Sequence, residues 1–130
     1  MYSATTRKIR VSVTPDYAPD QSEPDNGAYF WTYTIEITNL GLDRVQLISR
    51  HWLITDANGK TFEVRGPGVV GEQPVLGPGE SFTYTSGVPL STTSGTMTGS
   101  YQMVDVEGRD FEVDVPAFSL DSPYASQTLN

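Results

Sequence analysis

Polar and apolar residues alternate along most of this chain. From Arg7 to Thr14, Ile9, Val11 and Val13 share one face while Lys8, Arg10, Ser12 and Thr14 share the other, the two-residue period of a half-buried strand. Tyr29 to Thr38 repeats the pattern, with Tyr29, Trp31, Tyr33, Ile35 and Ile37 inward and Thr32, Thr34, Glu36 and Thr38 outward. Val45 to Thr55 predicts a third strand. Its apolar phase moves from Val45 and Leu47 to Ile48, Trp52 and Ile54, which requires a bulge or a central strand covered on both faces. Phe62 and Val64, then Ser81 to Thr85, Met97 to Val106, and Phe111, Val113 and Val115 supply the remaining strands. Asp110, Glu112 and Asp114 take the opposite face of the last one.

Turn signals separate these segments. Residues 15 to 27 hold three prolines and four acids and read as a long exposed loop. Asn39-Leu40-Gly41 turns the chain, and Asn58-Gly59 suits a type I′ hairpin because both residues tolerate positive φ. Pro78-Gly79 fits the centre of a type II turn, residues 86 to 96 read as a Ser/Thr/Gly loop, and Glu107-Gly108 makes a short turn. The tail from Asp121 has no periodicity and is expected to fray. The pattern predicts one domain over residues 1 to 126, with 127 to 130 as a disordered tail. Its architecture is all-β: an immunoglobulin-like or fibronectin type III-like sandwich of about seven antiparallel strands, with a small barrel as the alternative. Trp31, Tyr33, Ile35, Trp52, Tyr101 and Val113 are expected in the core.

The stretch Arg65 to Leu76 interrupts the strand pattern. Gly66, Gly68 and Gly71 spell G-x-G-x-x-G, which in a dinucleotide-binding fold lies between a strand and a helix N-terminus. Pro74 and Gly77-Pro78-Gly79 forbid that helix, so the signature falls in a loop between strands. Its backbone amides remain candidate anion donors. Against that, Pro67 has no N–H, Glu72 repels phosphate, and Arg65 is the nearby cation in sequence. Arg65, Gly66, Gly68, Val69, Val70, Gly71 and Gln73 are therefore the candidate interaction or anion loop, extended by Arg50 and Tyr17. Val69 and Leu76 are expected to be buried and Val70 partly displayed.

Composition narrows the chemistry. The 130 residues include 16 acidic and 8 basic ones, a net charge of -8 that opposes nucleic-acid binding. With no cysteine there is no disulfide framework and no thiolate chemistry, which fits a reducing compartment. No long apolar run and no leader-like segment is present, so a soluble cytoplasmic protein without membrane contact is expected. His51 is the one histidine, and no G-x-S-x-G elbow supplies a nucleophile. His51 reads as a structural residue at a sheet surface, and Trp52 and Tyr101 as core packing. Asp105, Glu107, Asp110, Glu112 and Asp114 are weak cation candidates. Side chains two apart on a strand lie roughly 7 Å apart, whereas oxygens sharing one ion lie about 3 Å apart. No catalytic residue, cofactor or tight metal site is expected.

Six blocks carry a resemblance: Val45-Gln46-Leu47, Arg50-His51-Trp52-Leu53-Ile54-Thr55, Gly66-Pro67-Gly68-Val69-Val70-Gly71-Glu72-Gln73-Pro74, Tyr84-Thr85-Ser86-Gly87, Gly95-Thr96-Met97-Thr98-Gly99-Ser100-Tyr101 and Val115-Pro116-Ala117-Phe118. In their order and spacing the chain resembles the ApaG family, also called CorD, departing from it at Pro67, where the family often carries an acid. The resemblance implies a fibronectin type III-like fold. It also implies genetic links to cobalt resistance and magnesium efflux, and a gene beside that of a diadenosine tetraphosphate hydrolase. A similar domain in eukaryotic F-box proteins and a polymerase-delta-interacting protein implies protein binding. The leading expectation is a non-enzymatic binding or adaptor domain whose partner is another protein, a homodimer included. The alternatives are a cation-linked regulator and nucleotide or pyrophosphate binding through Gly66 to Gly71.

Overall fold

The structure is a computed structural model that describes residues 1–125. Nine strands form two antiparallel sheets packed face to face: β1 (Tyr2–Thr6), β2 (Ile9–Tyr17), β3 (Tyr29–Asn39), β4 (Val45–Asp56), β5 (Thr61–Pro67), β6 (Val75–Leu76), β7 (Ser81–Leu90), β8 (Gly95–Val104) and β9 (Asp110–Leu120). One sheet runs β1-β2-β3-β7; the other runs β5-β4-β8-β9, with β6 also paired to β4. The expected sandwich is present, with no α-helix among the described residues.

The alternation places the core as expected. Trp31, Tyr33, Ile35, Trp52, Tyr101 and Val113 are all buried. Trp52 stacks edge-on against Tyr33, Tyr101 and Phe118, the arrangement that ring quadrupoles favour. The phase change in β4 is a bulge: Leu47 pairs with Met103 and Ser49 with Gln102, leaving Ile48 as the extra residue. β4 is also an interior strand, flanked by β8 on one side and by β5 and β6 on the other.

Several boundaries differ from the sequence expectation. β1 and β6 add two strands, and β2 continues through Pro15 to Tyr17 because β3 offers it partners as far as Trp31. Pro15 lies beyond the end of β1, where its missing N–H leaves no ladder gap. Two short 3-10 turns, Pro19–Gln21 and Pro24–Asn26, fill the rest of the acidic loop. Residues 86 to 90 are strand rather than loop. Their polar, Gly- and Pro-containing sequence hides a pairing that the long β3 imposes, from Tyr33 opposite Ser86 to Tyr29 opposite Leu90. Gly87 belongs there because the Phe30 ring occupies the place of a side chain at that position.

The hairpin at Asn58-Gly59 is not type I′. Only Gly59 has positive φ, so the turn is type I closed by a glycine bulge, with Asp56 Oδ1 accepting the amides of Asn58 and Lys60. The type II turn at Pro78-Gly79 is present: Glu80 N–H donates to Gly77 carbonyl and Gly79 has φ 79°. The segment from Asp121 is held rather than frayed. Trp31 Nε1 donates to Asp121 carbonyl at 2.8 Å, Ser122 Oγ donates to Thr93 carbonyl at 2.7 Å, and Tyr124 packs against Tyr17 and Tyr29. The expected tail of residues 127 to 130 lies outside the described residues.

Candidate functional site

The glycine loop is organised by the β4 bulge. A bulge turns one carbonyl out of the ladder, and here Ile48 carbonyl accepts both Gly68 N–H and Gln73 Nε2–H, each at 2.8 Å. Gln46 Nε2 returns a bond to Gln73 carbonyl, and Leu47 N–H donates to Pro74 carbonyl. β5 pairs with β4 before the loop and β6 pairs with it after, so residues 68 to 74 form a flap pinned at both ends to one strand.

Within the flap, Val69 and Glu72 exchange backbone hydrogen bonds at 2.8 and 2.9 Å, closing a two-residue turn at Val70-Gly71. Both central residues have positive φ, 43° at Val70 and 82° at Gly71. For a β-branched residue this is a strained conformation. Val69 is fully buried and joins the core, Leu76 is buried, and Val70 is 53% exposed. Val75 also stands out, 50% exposed.

The glycines have local reasons. Gly66 lies opposite Arg50, and a β-carbon there would sit 3.0 Å from the guanidinium. At Gly68 a β-carbon would collide with Glu72 carbonyl, and its φ is 60°. Arg50 Nη1 donates to the carbonyls of Pro67 and Gly68, each at 3.0 Å. The loop therefore offers carbonyls to a cation, while the amides of Gly68, Val69 and Glu72 are spent on backbone acceptors.

Two concavities flank the flap. On the outer face of β4 and β8, a groove of about 420 Å³ is lined by residues that include His51, Arg65, Gln73, Gln102 and Glu112. His51 Nε2 lies 2.9 Å from Glu63 Oε2, and Arg65 lies 3.5 Å from the same oxygen. His51 and then Arg65 hold the Glu63 carboxyl below its usual value. Between the sheets, a cavity of about 160 Å³ is lined by Tyr33, Arg50, Trp52, Tyr84, Ser86 and the turn Val69 to Gly71.

The structure thus brings Arg65, Gly66, Gln73 and Arg50 together, but not Tyr17. Tyr17 lies on β2, packed against Trp31 and Tyr124 and separated by β3 from β7. Asp105 and Glu107 are engaged by Arg109: Asp105 Oδ1 accepts the amides of Glu107 and Arg109, and Arg109 Nη2 meets Glu107 at 2.6 Å. Asp110, Glu112 and Asp114 are exposed along β9. Among the described residues no three His, Asp or Glu side chains converge as a metal site requires. Of the tyrosines of the inter-sheet cavity, the sequence predicts Tyr33 only as core and Tyr84 only as part of the strand from Ser81 to Thr85. Their convergence on Arg50 needs the two sheets to be stacked.

The model of the ApaG domain matches residues 19–105. The chain is 62% identical over 130 residues to Protein ApaG of Bradyrhizobium diazoefficiens, covering 100% of both, and 61% identical over the same length to Protein ApaG of Azorhizobium caulinodans. It superposes on the crystal structure of an ApaA protein from Bordetella pertussis with a TM-score of 0.86 at 53% identity, over 88% of this chain and 94% of that one.

Proposed function

The chain belongs to the ApaG domain family, and from that premise we propose that it is a non-enzymatic binding module whose glycine flap contacts another protein. One observation carries this reading. Val70 is an apolar, β-branched residue held at φ 43° and 53% exposed at the tip of a flap pinned from both ends. A strained backbone at an exposed apolar tip persists when the surrounding structure fixes it, and such residues cluster at contact sites. Val75 extends the apolar surface, and Arg65 and Gln73 supply a polar rim. Among the described residues no helix is long and apolar enough to cross a membrane. The cysteine-free composition fits the reducing cytoplasm that we propose for the module.

Site-specific photocrosslinking in cells tests the proposal. A crosslinker at position 70 is expected to give a discrete adduct, either with another protein or with a second copy, and one at Asp114 is not. Val70→Gly relieves the strained φ and removes the displayed side chain, so it is expected to keep or raise the melting temperature while abolishing the adduct formed from position 75. Equal labelling at positions 70 and 114, or a lower melting temperature with the adduct intact, overturns the flap as the interface.

A further inference from the structure

Burying a guanidinium is costly unless its donors are met. Arg50 is half-buried and meets that need at one nitrogen. After the bulge its side chain is in phase with Trp52 and Ile54, both buried, so it points between the sheets. Nη1 is satisfied by the Pro67 and Gly68 carbonyls. The four ion pairs among the described residues all involve other cations, and Nε and Nη2 have no hydrogen-bond acceptor there.

Arg50 lines both the outer groove and the 160 Å³ inter-sheet cavity, so its guanidinium is reachable from the cavity. Arg50 is near enough to act electrostatically on the phenols of Tyr33, Tyr84 and Tyr101. Burial raises the pKa of Tyr33 and Tyr84, so both phenols stay neutral and keep a proton to donate. Tyr84 shares its hydroxyl with Tyr101, while Tyr33 stands opposite Ser86 across the β3–β7 pair. The cavity thus combines one cation that has no carboxylate partner among the described residues, two neutral hydroxyls and apolar walls from Trp52, Val69 and Val70.

That combination selects an oxyanion, and two features choose its kind. The Nε and Nη2 edge of a guanidinium offers two parallel N–H groups that match the two oxygens of a planar carboxylate. The net charge of -8 and the nearby Glu72 disfavour a multiply charged phosphate. We propose that the cavity between the sheets binds a carboxylate carrying a short apolar group, held by Arg50 with Tyr33 and Ser86, under the Val69 to Gly71 turn. The carboxylate belongs either to a small free acid or to the C-terminus of a peptide. The site shares Val70 with the flap surface proposed above, but Arg50, Tyr33 and Ser86, which carry it, take no part in that surface.

The test follows the Arg50 Nε–H and Trp52 indole resonances of the isotope-labelled full chain by NMR. The probes are butyrate, benzoate, a tripeptide ending in leucine, the same tripeptide amidated, and inorganic phosphate. Saturable shifts at both residues are expected with the carboxylates and not with the amide. Arg50→Lys, which loses the planar edge, is expected to weaken binding about tenfold. Ser86→Ala and Tyr33→Phe keep both carbonyl clamps on the flap and are expected to weaken it roughly threefold each, so they carry the test even where Arg50→Lys loosens the fold. Tighter binding of butyrate or benzoate identifies a free acid, and tighter binding of the peptide identifies a chain end; either supports the site. Equal binding of the amide, phosphate binding tighter than every carboxylate, shifts unchanged in all three variants, or no saturable shift overturns it.

Discussion

Folding makes three phenols, Tyr33, Tyr84 and Tyr101, harder to ionise. Burial, the largest cause in each case, holds all three phenols above the ordinary value of 10.0. The sign of the consequence is fixed. A phenol that resists ionisation in the folded state but ionises freely in the unfolded chain leaves stability intact below pH 10.0 and erodes it as the pH rises further. Alkaline unfolding is therefore expected to begin above that pH. Tyr84→Phe combined with Tyr101→Phe is expected to flatten the alkaline limb, measured as melting temperature against pH; a limb of unchanged slope would assign the effect elsewhere. The double change is the cleaner one because it removes both partners of the Tyr84–Tyr101 hydrogen bond and leaves neither hydroxyl unpaired.

At the level of elements, one turn design is used twice. Asp56 and Asp105 each close a hairpin through a glycine bulge, accepting two amides with Oδ1: those of Asn58 and Lys60 in one case, of Glu107 and Arg109 in the other. Asp56→Ala removes the acceptor of two amides in a part-buried turn and is expected to cost about 1 kcal/mol in chemical denaturation. Asp56→Asn, which keeps an acceptor, is expected to recover most of that. The true two-residue turns with positive φ at both centres fall elsewhere, at Arg7-Lys8 and Val70-Gly71. Neither Arg-Lys nor Val-Gly advertises such a turn. The register of β1 on β2, with Thr6 opposite Ile9, and the Val69 to Glu72 bridge impose it. Local propensity was readable where glycine alone decided, at Pro78-Gly79, and unreadable where pairing overruled it.

Across the whole molecule, the first and last strands complete the sandwich. Ser119 N–H donates to the Tyr2 hydroxyl and Asp114 N–H to Thr6 Oγ1, so β1 and β9 meet where the sheets close. Trp31 Nε1 reaches Asp121 across 90 positions, and Trp31 is nearly fully buried. Ending the chain at Leu120 leaves that indole donor unpaired and is expected to cost about 1 to 3 kcal/mol, with altered Trp emission, measured by fluorescence-monitored unfolding. An unchanged midpoint would show that water replaces Asp121. The sequence by itself determined the all-β class, the inward faces of β2, β3 and β9, the phase change in β4 and six core residues. All of these follow from a period-two burial pattern that is local to each segment. Only the tertiary structure decided that Ser86 to Leu90 is strand, that residues 121 to 125 are tethered, that Gly66 makes room for Arg50, and that Arg50 meets Tyr33 between the sheets. Each of these depends on a partner far away in the chain, and a contact between distant segments leaves no periodicity in either one.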